Sequence, residues 1–218
     1  MRATRSTLAL AAFALFGIAG TSQAQEIQFQ GSTTGCFYAS WESGCSPASS
    51  STLTYLSYVG STFDVTSAGG LAGIGAAAGT PNVNNLGSFA VSGATALYNG
   101  SHFLLNVVFA LPTITSSPSV FTAAVKGNVL ADATGLVKIS FDPASQLFDF
   151  TSGDEVGTFV LTVNNVSLTP GAAPVALTGD IEVGNVTATP EPGTTALLAT
   201  GLFGLVPVVR SRRKKSVA

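Results

Sequence analysis

One histidine, His102, two cysteines, Cys36 and Cys45, and ten acids between positions 25 and 189 are the side chains with which this 218-residue chain could do chemistry. A hydrolytic triad needs a histidine base, oriented by a carboxylate, beside a nucleophile. His102 stands between Ser101 and Phe103 at the start of an alternating apolar run, and reads as a partly exposed residue at a strand edge. Glycoside hydrolysis needs two carboxyl groups about 5 to 10 Å apart across a cleft. Asp142 with Asp149, and Asp154 with Glu155, are the pairs on offer, but all four lie in turn-like sequence, where aspartate is favoured for bonding its own backbone. Calcium is a better use of these acids, since it takes about six to eight oxygens from carboxylates and loop carbonyls. No Asp-x-Asp-x-Asp-Gly loop occurs, so no metal ligand is assigned. The expectation is a protein that is not an enzyme and carries no cofactor, structural calcium being the one that the acids leave open.

The aromatic residues offer a different chemistry. Trp41, Tyr38, Tyr55, Tyr58 and Tyr98 are candidates for stacking on sugar rings, with Trp41 foremost because of its place by the Cys36 to Cys45 loop. Against this, large aromatics bury about 150 to 250 Å² each and commonly serve as core. The spacing of these five does not choose between the two uses.

Seven of the nine bases, Arg2, Arg5, Arg210, Arg212, Arg213, Lys214 and Lys215, lie in the terminal segments, which leaves Lys126 and Lys138 against the ten acids. Residues 25–189 therefore carry a formal charge of −8, where the whole chain carries −2. Nucleic acid is excluded as a partner, because it is held by clustered lysine and arginine.

The elements that must position these residues read as β-structure. Phe103, Leu105, Val107 and Phe109 alternate with Leu104, Asn106, Val108 and Ala110; Val137, Ile139 and Phe141 alternate with Lys138 and Ser140; Phe159, Leu161 and Val163 alternate with Thr158, Thr162 and Asn164. Period two in β-branched and aromatic residues is the strand signature. Further strands are expected at 36–41, 53–65, 87–91, 121–130, 147–150 and 175–186, separated by turn pairs such as Asn99-Gly100, Asp142-Pro143 and Pro170-Gly171. About ten short strands predict an all-β antiparallel sandwich, jelly-roll-like. Residues 68–85, rich in Gly and Ala, read as a surface loop with room for one short helix over 71–78.

The two ends read as an address. At the N-terminus, Arg2 and Arg5 precede an apolar run over 8–18, and small residues follow, predicting a signal peptide over 1–24 cut by way of the Sec translocon between Ala24 and Gln25. At the C-terminus, Pro190, Glu191 and Pro192 precede an uncharged run over 194–209, and then come Arg210, Arg212, Arg213, Lys214 and Lys215. Sixteen residues at about 1.5 Å each give about 24 Å, a short transmembrane helix against a hydrocarbon core of roughly 30 Å. The basic tail over 210–218 stays cytoplasmic by the positive-inside tendency, placing residues 25–189, one domain by size, on the far side. In an exported chain Cys36 and Cys45 are expected to form a disulfide, worth about 2 to 3 kcal/mol by loop closure. The rival zinc site needs about four ligands, for which one distant histidine is too few.

Triplet, span and basic cluster in this order resemble the PEP-CTERM sorting signal, over about the last 29 residues. The same segment is also called an ice-binding protein C-terminal domain, which implies nothing about ice here. The resemblance implies that exosortase, a membrane protease-transpeptidase, recognises the signal and releases or re-anchors the protein outside the inner membrane. A more diffuse resemblance, carried by residues 37–41, 53–55, 86–89 and 98–109, is to choice-of-anchor β-sandwich ectodomains, a family from which no site residue transfers. Together they imply an exported, structural or adhesive protein of the cell surface or extracellular matrix, in exopolysaccharide or biofilm material. A carbohydrate-binding module is the alternative, and a secreted hydrolase a third.

Overall fold

The structure, a computed structural model, describes residues 26–39, 44–75, 84–116 and 120–188. The signal-peptide junction at Ala24 and Gln25, Trp41, and the C-terminal segment from 190 with its apolar span lie outside these residues. Sixteen strands and no helix are found among the described residues. The chain opens with β1 (Gln28–Tyr38), makes the hairpin β2 (Ser50–Leu53) and β3 (Leu56–Val59), returns beside β1 as β4 (Thr62–Thr66), and leaves as β5 (Leu71–Ile74). Next come β6 (Ser88–Val91), β7 (Ala96–Leu97), the long β8 (Ser101–Leu111) and β9 (Thr113–Ile114). The hairpins β10 (Val120–Val129) with β11 (Gly135–Phe141), and β12 (Ser145–Ser152) with β13 (Glu155–Val163), follow. The short β14 (Val166–Leu168) and β15 (Val175–Ala176) lead to β16 (Gly179–Ala188).

These strands form three antiparallel sheets. The largest has seven strands in the order β14-β11-β10-β8-β1-β4, with β7 on β10; the others run β5-β16-β13-β12-β9 and β15-β6-β3-β2. Their arrangement follows from one face of β8. Near its start, Phe103 packs at 4.8 Å from Tyr58 of β3 and 4.9 Å from Phe89 of β6. Near its end, Phe109 packs at 5.6 Å from Phe148 of β12 and 5.2 Å from Phe159 of β13. Both rings project from the same side, because side chains two apart share a face. The two smaller sheets thus lie side by side against the large one, and the result is an all-β sandwich with a single aromatic-rich core.

The period-two pattern holds wherever it was strong. Phe103, Leu105 and Val107 are buried, as are Val137, Ile139, Phe159, Leu161 and Val163. Where the pattern was weaker, the structure corrects it. The run 53–65 is divided among three strands by turns, and Gln28 rather than Cys36 opens β1. No helix forms at its expected start, since Leu71–Ile74 is the strand β5: it pairs with β16, Ala72 opposite Ile181, and this ladder overrides the small-residue composition. His102 is on an interior strand, held between Tyr38 of β1 and Ala124 of β10, not at an edge.

A buried polar node ties the layers together. The Tyr58 hydroxyl donates to the carbonyl of Leu86 at 2.9 Å and lies 3.0 Å from the Thr33 hydroxyl oxygen, which accepts the Ser61 N–H at 3.0 Å. Burial pushes the Tyr58 pKa well up, the Thr33 contact offsetting only part of this. Gly87, at φ 107°, passes against the Tyr58 ring where a Cβ would collide with it.

Candidate functional site

A groove opens on the outer face of the seven-stranded sheet, where β1, β4 and β8 meet. Its origin is local. On β8 the register slips by one residue, Gly31 pairing with Phe109 but Gln30 with Leu111, so that Ala110 is an extra residue with no partner on β1. Such a bulge bends the strand and breaks the ladder. Opposite it stands Gly31, where any Cβ would collide with the Phe63 ring and the Val108 carbonyl. Beside the bulge lies a cavity of about 670 Å³ whose lining includes Gln30, Ser32, Thr62, Asp64, Asn84 and Val108. A second hollow of about 400 Å³ shares Ser32 and Thr62 with it and continues past Thr34, Ser49 and Ser61.

The polar groups of the groove are mutually positioned. Alternation puts Gln28 and Gln30 on the outer side of β1 and Asp64 on the outer side of β4, with Gln30 directly opposite Asp64. The Gln28 amide donates to one carboxylate oxygen of Asp64 and the Gln30 amide to the other, each at 2.8 Å. These two bonds, that from Gln28 first, hold the Asp64 carboxyl below its ordinary pKa. Asn84 closes the free edge of β4: its N–H donates to the Thr62 carbonyl and its side-chain oxygen accepts the Asp64 N–H, both at 3.0 Å. It does so from the left-handed region, φ 54°, which asparagine tolerates. The arrangement is a fixed, ionised acceptor flanked by amides and hydroxyls, with an apolar strip from the half-exposed Val108 and from Ala110 alongside. It has the group types that bind hydroxyls.

The residues singled out from the sequence fall elsewhere. Cys36 and Cys45 are joined in a disulfide, Cα to Cα 6.0 Å. Tyr38 is buried and its ring stacks on His102 at 5.3 Å between centroids, so that ring face is not open to a sugar. Tyr58 and Tyr98 are core residues, while Tyr55 is half exposed. Burial raises the pKa of Tyr38 and Tyr98. Asp142, Asp149 and Asp154 are exposed and Glu155 is buried. Among the described residues no three of His, Cys, Asp and Glu come together as metal ligands. Sequence reasoning missed the groove, although the polar alternation Gln28, Gln30, Ser32, Thr34 along β1 was there to be read.

No helix among the described residues is long and apolar enough to cross a membrane. Searches among curated proteins and among solved structures return no match for the chain. The last described strand, β16, ends at Ala188. Residues 188–214 match the PEP-CTERM protein-sorting motif, so the chain carries the signal that exosortase processes and that directs proteins to the cell envelope.

Proposed function

We propose that the chain is a non-enzymatic protein of the cell surface or extracellular matrix, structural or adhesive in exopolysaccharide or biofilm material. The observation that carries this reading is the sorting motif starting at 188, the last residue of β16, so that signal and sandwich abut without a linker. On this reading residues 190–218 are an inner-membrane intermediate's anchor, recognised through Pro190, Glu191 and Pro192 and removed before the sandwich reaches the outside. The disulfide supports an oxidising destination. The absence of a catalytic role is supported by His102, whose ring is occupied by Tyr38 within the large sheet.

The test is the intact mass of the protein recovered from the host's culture medium and outer surface, without reduction. The expected species runs from Gln25 to a terminus near Pro190 and is two hydrogens light for the Cys36 to Cys45 bond. Recovery with residues 194–218 still attached would mean a permanent membrane anchor and would defeat the proposal.

A further inference from the structure

We infer that the groove between β1, β4 and β8 binds a neutral, hydroxyl-rich polysaccharide chain. The first support is the set of groups. Each oxygen of Asp64 accepts one glutamine N–H, at 2.8 Å, and has a lone pair left for a second donor. Two acceptor oxygens on one planar group suit neighbouring hydroxyls of a sugar ring. Ser32, Thr62 and Thr34 add hydroxyls that both donate and accept, and Val108, half exposed at 50%, offers apolar contact to the C–H face of a ring.

The second support is shape and charge. The main cavity, about 670 Å³, lies within the roughly 300 to 1,000 Å³ of small-ligand sites. The second hollow adjoins it at Ser32 and Thr62, as successive subsites for a chain would. The ionised Asp64, in a domain with only two bases, repels a polyanion, and those bases, Lys126 and Lys138, sit on β10 and β11 with β8 between them and β1. A neutral chain meets no such penalty. The binding groups are already ordered by bonds within the protein, which lowers the entropic cost of association.

This inference deepens the matrix reading and rests on it only for where the polymer is met. The experiment is affinity electrophoresis of the full chain in mild detergent through gels containing dextran, galactomannan or polygalacturonate. Retardation by at least one of the two neutral polymers and none by polygalacturonate is expected. Asp64→Asn, which sets an amide against two amide donors, should weaken that retardation about tenfold or more, since hydrogen bonds to charged groups are the stronger ones. Gln30→Ala should weaken it less, and Lys138→Glu, across the sheet, should leave it unchanged. No retardation by either neutral polymer, preference for polygalacturonate, or an Asp64→Asn protein that keeps its native circular dichroism and binds like wild type would each overturn the inference. The two readings separate in the host: an Asp64→Asn protein that no longer binds in the gel yet stays in the matrix defeats polysaccharide adhesion as its means of retention and leaves the groove assignment standing.

Discussion

The two faces of the seven-stranded sheet use neighbouring residues for opposite ends. On β8, Phe103, Leu105 and Val107 are fully buried against the two smaller sheets, while Leu104, Asn106 and Val108 between them face outward. Inside, apolar bulk at every second position is enough, because burial does not depend on direction. Outside, what matters is which group stands opposite which. At one end of the outer face Gln30 faces Asp64 and the charge is met by amides; at the other, Lys126 faces Lys138 directly and like meets like. The inner face is general and the outer face is particular, so disruption of the first should unfold the protein and disruption of the second should alter what it touches.

The largest effect belongs to the inner face. Phe103 has no exposed surface and packs against Tyr58, Phe89 and Phe37 with centroids 4.8 to 4.9 Å away. Phe103→Ala should cost about 3 to 5 kcal/mol, read as a lower denaturant midpoint. A loss below about 1 kcal/mol would mean that the layers are not held by this cluster. Next comes the disulfide, which closes a short loop at the end of β1. Replacing Cys36 and Cys45 together by serine should cost about 2 to 3 kcal/mol and leave the groove, at the other end of β1, able to bind. If groove binding fell in step with stability, the separation of the faces would be wrong.

The same contrast explains what the sequence discloses. Phe159, Leu161 and Val163 are recognisable because burial writes a local period into the chain, and the sorting signal is recognisable because triplet, span and basic cluster are arranged in linear order. The groove has neither property. Gln28 meets Asp64 across 36 positions and Asn84 meets it across 20, so no window of sequence contains the site. The slip at Ala110 is a matter of register, which an alanine does not announce. For β5 the reason is again remote: Gly73 and Ala72 are poor strand formers, and β16, over a hundred residues later, supplies the ladder.

Lys126 and Lys138 give a smaller test of the outer face. Directly opposed like charges destabilise a ladder, and opposite charges there stabilise it by about 0.2 to 1 kcal/mol. Lys138→Glu should therefore raise the urea midpoint, and the gain should fade as salt is added. No gain at low salt would show that the two side chains already diverge into solvent.

The subtlest test concerns Asp64. Its pKa is held below the ordinary 3.8 by the Gln28 and then the Gln30 amide. The native state therefore takes up this proton less readily than the unfolded chain does. The resulting stabilisation is complete above 3.8 and is lost as pH falls through that value and then through the lower native pKa. Asp64→Asn has no such proton to bind. The stability difference between wild type and this variant should accordingly be constant near neutrality and change, against wild type, only in acid. Asp132, held down by the Thr134 hydroxyl and backbone N–H, shifts in the same direction in both proteins and cancels from the difference. A difference that is flat across the acid range would mean that the two glutamines do not hold Asp64 in solution. The outer face would then lack the fixed acceptor that distinguishes it from an ordinary solvated surface.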